Sequence, residues 1–241
     1  MPRGSQDYGQ YAQQSLVSRG IDTNELAVRL GNVSAFIRAG NMLYCCDFTK
    51  GLLSMAVTDS VGGYNNISIA KPFLSPYSLK IYNPVTPDGL AFIHVFLPFQ
   101  DATTYGVEVA VEKFANECHF IISLIIYDGG YECYSALRYH PEGGGLEYLD
   151  SAGVWQDLGP VSNLAGYQWA FAVMKLTIDA EKSYYKSFQV NQEIIDLSKY
   201  AMMKTINTTA PYMHTGFEIF NNQVAPDPYY IGHYIVTQND P

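Results

Sequence analysis

Apolar and polar residues alternate along most of this chain with a period near two, the pattern of strands whose side chains point to opposite faces. Residues 167–191, YQWAFAVMKLTIDAEKSYYKSFQVN, carry it furthest. Trp169, Phe171 and Val173 share one face of a first strand, and Met174, Leu176 and Ile178 the other. Apolar residues on both faces predict a strand in the middle of a sheet covered from both sides. A polar turn at Asp179-Ala180-Glu181-Lys182 leads into a return strand, where Tyr184, Phe188 and Val190 alternate with Tyr185, Ser187 and Gln189. Lys186 interrupts the apolar row, and we expect it to reach past the sheet edge.

The same reading extends along the chain. Asp22 and Glu25 form a capping box that predicts a short helix through Leu30, ended by Gly31. Strands are expected at 34–38 and 42–48, then at 67–70 and 77–82 between Gly- and Pro-marked loops. Four longer ones follow at 91–99, 105–114, 119–127 and 131–140, the last two joined at Asp128-Gly129-Gly130. A hairpin pairs 146–149 with 154–158, and strands close the chain at 193–197, 214–220 and 229–237. A helical turn is expected near 201–206. With no helix pattern between the strands, the fold class is all-β, a two-sheet antiparallel sandwich or barrel. Residues 1–31 read as an N-terminal arm with one short helix, and 32–241 as one sandwich domain.

Composition narrows the partners. The net charge is −9 with only 14 Lys and Arg, which argues against nucleic acid, since phosphate binding needs concentrated positive charge. The 20 tyrosines and 12 phenylalanines suit strand faces that pack while a hydroxyl stays wet. Cys45, Cys46, Cys118 and Cys133 show no zinc spacing, and adjacent Cys45 and Cys46 point to opposite faces, so reduced thiols are expected. Residues 1–7 have no apolar core, so we expect neither signal peptide nor membrane segment, and the sequons at Asn32, Asn66 and Asn207 read as coincidence. Residues 1–20 are polar and cannot bury themselves. A neighbouring subunit could hold them, with Arg3, Tyr8 and Tyr11 as contact residues.

Several stretches, in order, resemble the concanavalin A-like jelly-roll superfamily of lectins, laminin-G domains and glucanases. They are Cys46-Asp47-Phe48 with Gly51-Leu52, then Tyr77-Ser78-Leu79-Lys80-Ile81, Leu146 to Asp150 with Trp155, Lys175 to Asp179, Val190-Asn191, and Tyr230 to Thr237. The resemblance covers about residues 41 to 238 and implies a jelly-roll sandwich. Relatives that bind calcium often carry acidic residues near the last strand; here Gly232 and His233 stand there. Asp47 alone is not a site, so no metal or cofactor is expected. The arrangement is also loosely similar to uncharacterised phage-type virion proteins.

Glucanases of this superfamily carry Glu-x-Asp-x-Glu on a concave-face strand. Here the stretch is Glu108-Val109-Ala110-Val111-Glu112, with Ala110 in place of the central Asp. Without that group the expectation is a half-buried strand with a solvated acidic face, and no enzyme. The histidines, His94, His119, His140, His214 and His233, show no ligand spacing. On 131–140, Glu132, Tyr134, Arg138 and His140 share one face opposite Tyr131, Cys133, Leu137 and Tyr139. With Trp155 on the nearby hairpin, they could line a glycan-binding groove. The sequence thus suggests first a non-enzymatic assembly subunit, a capsid decoration, capsid-associated or tail component. Its partners would be itself or other virion proteins, and its location a virion made in host cytoplasm. The alternative is a lectin-like carbohydrate-binding module, with Glu132, Tyr134, Arg138 and Trp155 at its site.

Overall fold

A computed structural model describes residues 41–59, 64–73, 75–82, 89–112, 118–140, 145–161, 171–191, 193–221 and 228–240. The expected arm and helix, with Arg3, Tyr8 and Tyr11, lie outside these residues, as does Trp169. Among the described residues the architecture is all-β, two antiparallel sheets packed face to face.

The back sheet contains β1 (Asn41–Cys46), β3 (Tyr64–Ser68), β4 (Ser78–Tyr82), β6 (Thr104–Glu112), β11 (Phe171–Asp179), β12 (Tyr184–Val190), β13 (Glu193–Asp196) and β16 (Tyr229–Gln238). Its order is β13-β12-β11-β6-β16-β4-β3, and β1 pairs with the far half of β16. The front sheet contains β2 (Met55–Asp59), β5 (Gly89–Pro98), β7 (Cys118–Tyr127), β8 (Tyr131–His140), β9 (Gly145–Leu149), β10 (Trp155–Pro160), β14 (Met203–Ile206) and β15 (Tyr212–Asn221). Its order is β10-β9-β8-β7-β15-β5-β2, with β14 also on β8. The expected helical turn near 201–206 is instead this short strand β14. The sequence gives it little apolar contrast, and its pairing with Tyr131–Tyr134 decides its state.

Alternation places one row of each strand in the core. Val107, Val109 and Val111 meet Met174, Leu176 and Ile178 from the back, and Phe120, Ile122, Leu124, Phe217 and Ile93 from the front. β11 lies central, between β6 and β12, as its two apolar faces predict. The return strand departs from simple alternation. The register slips between Thr177 and Ile178, leaving Lys186 without a pairing partner on β11, so Ser187 faces Thr177 and Tyr185 faces Ile178. This bulge turns Tyr185 into the core, fully buried, and Tyr184 outward, the reverse of the expected rows. Lys186 does not reach past the edge; its Nζ donates to the Asp240 backbone carbonyl at 2.9 Å.

Tyrosine hydroxyls tie the sheets together. Tyr234 on β16 donates to Thr215 Oγ1 on β15 at 3.0 Å. Tyr185 on β12 crosses to β8 and β9, accepting the Ala136 N–H at 2.9 Å and donating to the Leu149 carbonyl at 2.8 Å. Cys46 and Cys133 are free thiols.

Candidate functional site

The two outer faces of the sandwich differ in access. On the back sheet Glu108, Glu112, Lys175, Thr177, His233, Thr237 and Asp240 point away from the core yet are buried. Phe73 covers part of this face, lying against Phe171 and His233 and directly on Gly232, where a Cβ would collide with its ring. Glu108 and Glu112 do share one face, but that face is not solvated, correcting the sequence expectation. Alternation reports which residues lie together and is silent on what a loop lays over them. Each glutamate faces a basic group. Lys71 Nζ donates to Glu112 Oε1 at 3.0 Å. His233 Nε2 stands 2.8 Å from Glu108 Oε1, in a geometry that aligns no hydrogen bond. Closed over in this way, the pair offers a substrate no approach.

The outer face of the front sheet is more open: most of its side chains are half-buried and Phe96 is exposed, while Gly216, Ser123 and Ala136 in its middle are buried. Strand register sets three parallel rows across it. The middle row is small: Ala56, His94, Gly216, Ser123 and Ala136 stand opposite one another on β2, β5, β15, β7 and β8. On one side lie Phe92, Glu218, Ile121 and Arg138, followed by Glu147 and Asp157. On the other lie Phe96, His214, Ile125 and Tyr134. The result is a shallow trough running across the strands. Gly216 keeps its floor low, because a Cβ there would stand 2.7 Å from Ser123 Oγ. Gly216, Ser123 and Ala136 lie on three neighbouring strands, so two strand spacings give this small-residue part a length of about 10 Å.

One half of the trough carries the residues read from the sequence. Glu132, Tyr134, Arg138 and His140 all point outward from β8 and are half-buried. Trp155 sits opposite Leu149, on the same face, and packs, as Tyr134 and Phe220 do, against the buried cluster of Ile121, Ala136 and Leu149. The Arg138 guanidinium lies 4.5 Å from the Trp155 ring centroid, and its Nε donates to Glu147 Oε2 at 2.5 Å. That hydrogen bond, with a second contact from His140 Nε2 at 2.7 Å, holds the Glu147 carboxyl below its usual range. Glu132 accepts from Asn207 Nδ2 at 2.8 Å. Burial pushes the Tyr134 phenol up to about 12, and Glu218 and Glu132 add to this. The structure thus gathers the expected site residues on one accessible face, with Arg138 paired to a neighbouring strand.

The other half was missed. Phe96, 57 % exposed, stacks on His214 with ring centroids 4.5 Å apart and planes 6° apart. His94 stacks between Phe92 and Phe96, and its Nδ1 lies 2.8 Å from His214 Nε2. Burial lowers both imidazoles, His214 to about 4, with His94 adding to its shift. At the far rim His119 stacks on Phe220 at 4.4 Å and sits 5.3 Å from His140. Four of the five histidines with no ligand spacing in sequence therefore form cross-strand pairs, His94 with His214 and His119 with His140. In groups of three or more with Cys, Asp or Glu, the described residues form no cluster that could hold a metal. A cavity of about 570 Å³ at one end of the sandwich, with Asp101, Asp128, Glu181 and Lys204 in its lining, lies off this face.

No protein-family model matches the chain, and no curated protein matches it in sequence. Solved structures share its fold. An endo-β-1,4-glucuronan lyase from the fungus Trichoderma reesei superposes with a TM-score of 0.58 at 12% identity, covering 83% of this chain and 96% of that one. A Bacillus subtilis protein of unknown function with a galectin-like fold gives 0.50 at 14% identity, covering 83% and 96%. The carbohydrate recognition domain of Emp46p, potassium-bound, gives 0.50 at 11% identity, covering 81% and 94%. These likenesses establish the galectin-like, concanavalin A-like sandwich. That fold carries lectin domains and enzymes alike, so it leaves function to the side chains.

Proposed function

We propose that this protein binds carbohydrate along the trough of the front sheet. The observation that carries the reading is the accessible aromatic face itself, with Phe96, His214, Tyr134 and Trp155 flanking a row of small residues. The apolar C–H face of a sugar ring stacks on such rings, and its hydroxyls need polar partners nearby. Glu132, Glu218, His94 and Arg138 supply them at the edges of the same surface. Structural neighbours described as carbohydrate-recognising, such as the Emp46p domain, fit this reading.

The assembly role suggested first by the sequence rests on residues outside the described ones, and none of the structural neighbours named above is a virion protein. The glutamate pair that would make the chain a glucanase is covered.

The test is titration of the full chain with a panel of plant, fungal and bacterial oligosaccharides by calorimetry. Saturable binding is expected, weakened at least about tenfold by Tyr134→Ala, Trp155→Ala or Phe96→Ala, each a lost ring of the 1.4 kcal/mol class or more. Ile194→Ala, on the exposed β13 edge, should leave it unchanged. No binding across the panel, or binding indifferent to all three aromatic variants, would overturn the reading.

A further inference from the structure

The trough contains one carboxyl group that its own structure does not explain. Glu218 stands in the row between Phe92 and Ile121, near the centre of the face. Its side chain is half-buried, and among the described residues nothing donates a hydrogen bond to it. We propose that Glu218 selects uncharged glycans, offering its carboxyl to a sugar hydroxyl in a row where the described residues give a sugar carboxylate no cation to pair with. This deepens the carbohydrate-binding reading and rests on it.

Several cations stand where they could have paired Glu218 or welcomed an anionic sugar. From β8, Arg138 faces the same row, but its Nε is committed to Glu147. His140 is committed to the same carboxylate. From β5 and from its own strand, His94 and His214 face each other, both with lowered affinity for protons. From β7, His119 lies flat on Phe220, and burial lowers it to about 4. Tyr134 is the remaining titratable neighbour across the trough and is held protonated. Lys204 and Lys199 lie over Tyr131 and Tyr200, off this row. Among the described residues, therefore, the centre of the face has no spare positive charge.

An unpaired carboxylate among aromatic rings is costly, so the group holds its proton to a higher pH than an exposed glutamate does. Burial alone raises Glu218 to about 7. As a neutral acid it both donates and accepts, which suits a hydroxyl. A uronate laid against it would find no described cation to balance its charge, and above about pH 7 it would also face the ionised glutamate, a like charge.

Calorimetry at pH 6 and pH 8 on the full chain tests this, using cellotetraose and mannotetraose as neutral probes and tetraglucuronate as the anionic one. Alongside, the Glu218 side-chain carbon is titrated by NMR in the free protein. The expected result is a neutral probe bound about tenfold more weakly at pH 8 than at pH 6, since the competent fraction falls by roughly that factor. Glu218→Gln should abolish this pH dependence and, at pH 8, improve tetraglucuronate binding. Tetraglucuronate bound as tightly as the neutral probes by the native chain, or a pH dependence surviving in Glu218→Gln, overturns the proposal while leaving carbohydrate binding intact. Binding of none of the probes at either pH removes both.

Discussion

The Tyr185 hydroxyl accepts the Ala136 N–H at 2.9 Å, reaching from the back sheet to the floor of the trough on the front one. It stands where β8 and β9 part. Their pairing runs from His140 with Gly145 to Leu137 with Tyr148 and goes no further. The next two backbone groups, the Ala136 N–H and the Leu149 carbonyl, are both satisfied by this one phenol. Trp155 packs against the cluster that Leu149 and Ala136 form with Ile121, so the aromatic wall is built beside a bond made by the opposite sheet.

Tyr185→Phe keeps the ring and removes the hydroxyl, leaving a buried donor and acceptor unmet. Such a loss costs about 1–3 kcal/mol. Urea denaturation should show it, together with faster amide exchange at Ala136. Glycan affinity should fall with it, because Trp155 loses its fixed seat. A variant as stable as the native chain would mean that water replaces the phenol there.

The His94–His214 contact makes a second prediction. Both imidazoles titrate below the ordinary histidine value, His214 at about 4, because burial disfavours their charged forms. The unfolded chain binds those protons first. Their contribution to stability is therefore fully present above about pH 6.5 and is lost as pH falls towards 4. His214→Phe retains the stack on Phe96 without a titrating group. Its stability relative to the native chain should rise as pH drops from 7 to 4, read as a shift in melting temperature. A constant difference over that range would refute the linkage.

How far the site could be read from the sequence follows from contrast along each strand. On β8 the polar residues Glu132, Arg138 and His140 alternate with Cys133, Leu137 and Tyr139, and period two alone assigns their face correctly. On β5, Phe92, His94 and Phe96 alternate with Ile93, Val95 and Leu97. There both rows are largely apolar, so nothing marks which one meets water. The His94–His214 contact spans 120 residues of chain, beyond any spacing rule. The Lys186 bulge was equally hidden, since one extra residue inverts Tyr184 and Tyr185 without disturbing the composition of either. Architecture survived these errors because the core rows of β6, β7 and β11 are unambiguous.

Glu218 makes a prediction that needs no ligand. Its carboxyl is raised to about 7 in the folded protein, so folding opposes its ionisation. The stability associated with its neutral form is fully present below the ordinary glutamate value and is lost as pH rises through about 7. Glu218→Gln should therefore match the native chain near pH 4 and exceed it at pH 8 in thermal unfolding. A native chain that stays equal to the variant at pH 8 would show a carboxyl that solvent or a partner already satisfies.

On the covered back face, Lys175 and Asp240 form a buried pair, with Nζ 2.6 Å from Oδ1. Thr237 Oγ1 donates to the other carboxylate oxygen, and the Asp240 backbone carbonyl receives Thr104 Oγ1 and Lys186 Nζ. Gly106 beneath them has no side chain because a Cβ there would strike Asp240 and Lys175. Taking two charges out of water costs about what their attraction returns, so the pair itself contributes little net stability. Removing one partner is another matter, since the remaining charge stays buried with nothing to balance it. Lys175→Met should cost about 3–5 kcal/mol, and Lys175→Met with Asp240→Leu should recover most of that loss. A double-mutant cycle by urea denaturation reads both quantities. If the single variant costs under about 1 kcal/mol, the pair behaves as a screened surface contact, and the closed character of this face would have to be abandoned.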